Sequence, residues 1–199
     1  MHGVRLEALI VLALATGMRK GERIALRWQD IDTEAGVAKV TRTLKITLEG
    51  RRFGRAKTRH STRTIALPAV ATEALRDHYS QQQAERALLG ASWHDLDLVF
   101  CNEIGERLPT SRLEACCWYG RLLLRAGLPP IHFHGLRHSA ATLLLARGVN
   151  VTVVSEMLGH SRVAVTLTLY GQVLPHMQRD AAITMDQVLR GEKYREARC

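Results

Sequence analysis

Several stretches of the chain gather side chains able to bind an anion or move a proton. His134, Arg137 and His138 occupy positions i, i+3 and i+4, which puts three cationic or proton-carrying groups on one face of a helix. Such crowding suits a bound phosphate. The same HxxxH spacing could hold zinc, although Gly135 stands where the HExxH pattern has its general-base glutamate. His138 taken alone reads equally as a buried structural histidine. Arg19 precedes Glu22 by three residues, close enough for the carboxylate to hold the guanidinium, and by itself this is an ordinary surface ion pair. His160 stands between Gly159 and Ser161, at a helix junction where a side chain can point into a cleft. Tyr170 follows ten residues later, and alone it is a half-buried aromatic on an amphipathic helix. From Gly50 to Arg63 the chain carries Arg51, Arg52, Arg55, Lys57, Arg59 and Arg63 without one acidic residue. That stretch either contacts nucleic-acid phosphates or is a solvated basic loop.

The flanking pattern says what positions these groups. Leu, Ala and Ile fill Arg5 to Ala15, and Thr16-Gly17 ends the run, so a buried helix followed by a turn delivers Arg19. A second helix is expected from about Lys20 to Trp28, then a β-leaning stretch from Val37 to Leu48 and a returning strand from Thr64 to Leu67, closed by Pro68. The basic segment between those strands is expected to be a hairpin tip. A helix then runs to about Leu89, Leu98-Val99-Phe100 forms a short strand or buried segment, and another helix spans about Ser111 to Ala126. In the C-terminal third, Leu136, Ala140, Leu143 and Leu144 lie on one helical face, with Gly148 as the stop. Asn150 can cap a short helix that turns Val151, Val154 and Leu158 inward until Gly159. Ser161 can cap the next, on which Val163, Leu167 and Tyr170 share a face. Pro175 to Leu189, with Met177, Ala181, Met185 and Leu189 at intervals of four, reads as a further amphipathic helix.

Composition narrows the function classes. The 199 residues suit one compact domain, and 28 Lys plus Arg against 19 Asp plus Glu give a net charge of +9. Such a balance favours an anionic partner, nucleic acid ahead of an anionic membrane. The four cysteines, Cys101, Cys116, Cys117 and Cys199, show no CxxC spacing, so neither a zinc site nor a disulfide framework is suggested, and a reducing cytoplasm is the simplest home. The apolar run from Ala8 to Ala15 has Glu7 before it and Arg19 and Lys20 soon after, unlike a secretory leader. No stretch approaches the roughly 20 apolar residues that cross a bilayer.

In order, Thr16-Gly17-Met18-Arg19-Lys20-Gly21-Glu22, Lys57-Thr58, His134-Gly135-Leu136-Arg137-His138, Leu158-Gly159-His160-Ser161 and Tyr170 form a specific constellation. It resembles the tyrosine recombinase, or phage integrase, family. The similarity runs from Leu6 to about Val173 and includes Leu26-Arg27-Trp28-Gln29-Asp30-Ile31.

The resemblance implies a mainly α fold with a small antiparallel β-sheet (α+β), the catalytic-domain fold of that family. It implies a site-specific recombinase, of the kind mobile elements use for DNA integration, that cleaves and rejoins DNA through a 3′-phosphotyrosine. Tyr170 would be the nucleophile and His134 the candidate base, since a phenol with a pKa of about 10 needs one at neutral pH. Arg19 and Arg137 would clamp the non-bridging oxygens, His160 would hydrogen-bond the same phosphate, and Lys57 would protonate the departing 5′-oxygen. Glu22 and His138 would support them, and Arg51, Arg52, Arg55, Arg59 and Arg63 would contact DNA phosphates. Fixed cations then replace Mg²⁺, so no metal or other cofactor is expected. The expected partner is double-stranded DNA, with a homo-oligomer, a tetramer, on DNA and weak association or a monomer without it. Residues 1–174 would be the catalytic domain and 175–199 a tail helix, packed on its own domain or exchanged between subunits. The N-terminal DNA-clamping domain of full-length members is expected to be absent, as in a truncated piece, an isolated catalytic domain or a degenerate element. Two other readings share the pattern: a type IB topoisomerase-like relaxase and a non-catalytic DNA-binding remnant.

Overall fold

The computed structural model describes residues 2–47, 50–55, 62–108, 117–170, 182–183 and 185–190. Helix α1 (His2–Thr16) buries Ala8, Leu9, Leu12, Ala13 and Thr16 along one stripe, the spacing of a helix that must face a core. Each leucine so buried contributes about 1.5–3 kcal/mol relative to an exposed one. Helix α2 (Lys20–Ile24) is shorter than the sequence pattern predicts. Tertiary hydrogen bonds end it early: Leu26 O accepts from Val99 N at 3.0 Å, and Trp28 N donates to Asp97 O at 3.0 Å. A 3-10 turn (Trp28–Asp30) leads to the sheet.

Strand β1 (Ile31–Asp32) pairs with β2 (Val37–Val40), which pairs antiparallel with β5 (Arg63–Ala66) in the register Val37↔Ala66 to Val40↔Arg63. The expected return strand is therefore present, but the hairpin between is longer in structure than a basic tip. Strands β3 (Arg42–Thr47) and β4 (Gly50–Arg55) form a separate antiparallel pair. Arg51, Arg52 and Arg55 thus lie on a strand, not a loop. The apolar cross-strand pair Leu44↔Phe53 explains the difference, and the guanidinium carbons of Arg42 and Arg107 sit 5.1 and 5.2 Å from the Phe53 ring centroid.

Helix α3 (Ala69–Leu89) packs Ala71, Thr72, Leu75, His78 and Gln82 inward. Helices α4 (Cys117–Arg125), α5 (Gly135–Ala146), α6 (Val151–Leu158) and α7 (Val163–Tyr170) complete the described chain, with residues 185–189 also helical. The expected start of α4 near Ser111, and Met177 and Ala181 of the tail, lie outside the described residues. Two inward faces differ from expectation. On α5 the buried residues are Leu136, Arg137, Ala140, Ala141 and Leu145, while Leu143 is exposed. On α7 they are Thr166 and Tyr170, while Leu167 is exposed. In both helices a polar side chain required by the site takes an inward position, so apolarity alone misplaces the face.

The core has two lobes. One joins α1, α2, β2, β5, α3 and the Val99-Phe100 segment; the other joins Ala141, Leu145, Val154, Leu158 and Tyr170 of α5, α6 and α7. Asn150 caps α6, its side chain accepting from Thr152 N at 2.8 Å, and Gly159 closes it in the left-handed region.

Candidate active site

Arg19, Glu22, Arg63, Arg137 and the histidines singled out in the sequence meet at the seam between the two lobes. Gly17 fixes the approach: at φ +57° it takes the turn after α1, and a Cβ there would stand 2.5 Å from Leu158 Cδ2. Its carbonyl accepts from Arg137 Nη1 at 2.6 Å. Arg137 is 4% exposed, and its Nη2 has no hydrogen-bond partner among the described residues. A buried guanidinium with an unmet donor is costly unless a ligand supplies the acceptor. Burial, followed by the positive charge of Arg19, lowers the Arg137 pKa to about 10, so it is charged at neutral pH.

Arg19 is the N-cap of α2, and its backbone N–H donates to Glu22 Oε2 at 2.8 Å. Its Nη1 lies 3.0 Å from Glu22 Oε1, and its Nη2 donates to Gly159 O at 2.9 Å. One arginine therefore bridges α2 to the α6–α7 turn. Glu22, 5% exposed, also receives Arg63 Nη2 at 2.9 Å and Nη1 at 3.1 Å. Burial pushes the Glu22 carboxyl up, but the Arg63 hydrogen bonds and charge, together with Arg19, outweigh it and hold the pKa low.

Arg63 corrects one expectation. Instead of reaching for DNA from a basic loop, it opens β5 with an 8% exposed side chain, held by Glu22 and by Met157 O at 2.7 Å. Its fork is used inside the protein. Arg52 is exposed on β4, the Arg51 and Arg55 side chains are not among those described, and Lys57 and Arg59 lie outside the described residues.

Tyr170 and the histidines form the other wall. The Tyr170 hydroxyl is 2.9 Å from His138 Nδ1, and the His138 ring stands edge-on to His134 with centroids 5.2 Å apart. Burial raises the Tyr170 pKa while Arg137 opposes the rise, so the phenol keeps its proton at neutral pH within hydrogen-bond reach of His138. The sequence marked His134 as the base, but the imidazole in contact is that of His138. Burial first, then the charges of His138, Arg137, Arg23 and Arg19, lower the His134 pKa. His160 pairs through Nδ1 with Thr166 Oγ1 at 2.8 Å. Burial and then Arg137, Arg19 and Arg63 push its pKa down to about 4, so it is neutral at neutral pH.

Sequence reasoning missed Thr166, which lies six residues past His160 and across a helix start, and it missed the scaffold use of Arg63. The described residues bring together Arg19, Glu22, Arg137, His138, His134, His160 and Tyr170. Chemically, the arrangement offers fixed positive charge and a protonated phenol beside an imidazole, with the Glu22 carboxylate already engaged by Arg19 and Arg63.

Comparison with known proteins identifies the family and the fold. The family model described as "Phage integrase family" matches residues 1–177. The chain is 35% identical to a "Tyrosine recombinase XerC-like" protein of Caldanaerobacter subterraneus subsp. tengcongensis, over 94% of this chain and 51% of that protein. It thus spans about half the length of the curated relatives it matches. Among solved structures, the Tn1549 transposon integrase in complex with circular intermediate DNA aligns with a TM-score of 0.68 at 22% identity, covering 82% of this chain and 54% of that one. The XerA recombinase aligns with a TM-score of 0.68 at 22% identity, covering 90% and 58%. These neighbours share the mainly α fold with its small antiparallel sheet, and with the match over residues 1–177 the chain belongs to the phage integrase family.

Proposed function

We propose that the chain is the catalytic domain of a site-specific DNA recombinase that cuts and rejoins strands through a covalent bond between a DNA 3′-phosphate and Tyr170. The observation that carries this reading is the Tyr170 hydroxyl, held by His138 within the field of Arg137, whose Nη2 is buried without an acceptor. A scissile phosphate supplies that acceptor. Attack by the phenolic oxygen forms the phosphotyrosine bond, the Tyr170 proton passes to His138, and the 5′-oxygen leaves with a proton from a general acid. Lys57 is assigned that acid role by its place in the family pattern. Arg19, Arg137 and His160 stabilise the charge that builds on the phosphoryl oxygens. Because the covalent bond keeps the energy of the broken phosphodiester, another 5′-hydroxyl reseals the strand without ATP.

The partner is double-stranded DNA, in line with the net charge of +9 and with the DNA complex solved for the Tn1549 integrase. Residues 1–174 act as the catalytic unit, in a tetramer on DNA. Met185 and Leu189 in the last helical segment are 58% and 79% exposed, which favours a tail that docks on a neighbouring subunit. An unchanged oligomeric state on DNA after removing residues 175–199 contradicts the tail reading.

Incubation with a nicked suicide duplex, followed by denaturing electrophoresis, tests the function. A covalent band for the wild-type chain that is lost in Tyr170→Phe supports it. Failure to form the band even with a DNA-clamping domain supplied in trans makes the chain a DNA-binding remnant.

A further inference from the structure

We infer that Thr166 is a positioning residue for His160: its hydroxyl donates to Nδ1 and so keeps the imidazole proton on Nε2, the nitrogen that then donates to a phosphate oxygen. The inference deepens the proposed reaction and rests on it only for the phosphate that His160 meets.

Thr166 is 0% exposed and lies on α7, buried with Tyr170 one helical turn further on. Its Oγ1 stands 2.8 Å from His160 Nδ1. The next threonine of α7 behaves differently. Thr168 Oγ1 donates to the carbonyl of Ala164, four residues back, at 2.9 Å, the ordinary bond of a helical threonine. Among the described residues the Thr166 hydroxyl has His160 Nδ1 as its partner and makes no such bond to its own helix. The backbone around His160 is tied as well: its N–H donates to Ser155 O at 3.0 Å, and the carbonyl of Gly159 accepts from Arg19 Nη2 at 2.9 Å. His160 is thereby held between the arginine that caps α2 and the helix that carries the nucleophile.

Burial decides the direction of the hydrogen bond. A hydroxyl and an imidazole nitrogen can pair either way round. With the proton on Nδ1 and Thr166 accepting it, the threonine's own proton would lie in a site closed to water, without an acceptor among the described residues. Buried polar groups avoid that arrangement. With the hydroxyl donating, Nδ1 accepts and the neutral ring carries its hydrogen on Nε2. The distinction matters because His160 sits among cations. Burial and then Arg137, Arg19, Arg63 and His138 lower its pKa to about 4, so at neutral pH it has a single N–H to offer. A phosphate oxygen only accepts. The Nε2–H form donates to it, whereas the other tautomer sets a lone pair against it.

The test reads the His160 ring nitrogens by nitrogen–proton NMR of the full chain at neutral pH without DNA, in wild type, Thr166→Ser and Thr166→Val. The signals are identified by their absence from His160→Asn. The inference expects a protonated Nε2 and a bare Nδ1 in wild type and Thr166→Ser, and a mixture of tautomers in Thr166→Val, which keeps the side-chain shape and loses the hydroxyl. Covalent-complex formation at saturating nicked duplex then slows about tenfold in Thr166→Val, less than outright loss of an oxyanion donor costs, with the half-saturating DNA concentration unchanged and Thr166→Ser near wild type. A wild-type ring protonated on Nδ1 overturns the inference, and since that reading needs no variant, a Thr166→Val chain that fails to fold does not shield it. An unchanged tautomer in a folded Thr166→Val overturns it too, as does a changed tautomer with unchanged covalent-complex formation. Because the ring is read without DNA, a wild-type chain that forms no covalent complex counts against the proposed reaction and leaves the tautomer result standing.

Discussion

The Tyr170 hydroxyl and Nδ1 of His138 lie 2.9 Å apart, joining the last residue of α7 to the first turn of α5. Burial raises the Tyr170 pKa, so the phenol holds its proton at neutral pH within hydrogen-bond reach of that imidazole nitrogen. His138→Ala is therefore expected to slow covalent-complex formation about 100-fold, in the range of a lost general base, with the fold intact by circular dichroism. An effect confined to His134→Ala would return the base to His134.

Glu22 links Arg19 to Arg63, and both Glu22 and Arg63 are nearly inaccessible, at 5% and 8% exposure. Removing the carboxylate leaves a buried guanidinium without its counter-ion. Glu22→Ala is expected to lower the unfolding free energy by about 3–5 kcal/mol, measured by urea denaturation.

The same carboxylate predicts an acid limb. Its folded pKa is lowered from 4.5, so its stabilisation is present above the unfolded value and is lost as pH falls through the folded one. Wild-type stability should drop below about pH 4.5, and the drop should be shallower in Glu22→Gln.

His160 predicts a second window. Its pKa falls from 6.5 to about 4 on folding, so between those values the unfolded chain binds the proton and the folded chain does not. Stability decreases with falling pH through that window and levels off below it. His160→Asn should flatten the curve between pH 6.5 and about 4, as read by thermal melts across pH.

Much of this arrangement was legible in the sequence, for identifiable reasons. Helices with an unbroken apolar run or a capping residue, α1 and α6, lie where Leu12 and Asn150 predict. The spacing of Arg19 to Glu22 foretold their ion pair. Arg63 was not legible, because a run of arginines looks the same whether it faces solvent or, at one position, a buried carboxylate 41 residues away. Strand β4 was hidden by its charge, Phe53 being its only large apolar residue. The contact from Tyr170 to His138 spans 32 residues, and helix periodicity carries no information over that distance.

The most direct measurement is to trap the covalent complex on a suicide substrate, digest it with protease and sequence the DNA-linked peptide by mass spectrometry. The account predicts a peptide containing Tyr170 joined through its phenolic oxygen to the 3′-phosphate of the cleaved strand. A linkage through another residue, or to the 5′ end, would contradict it.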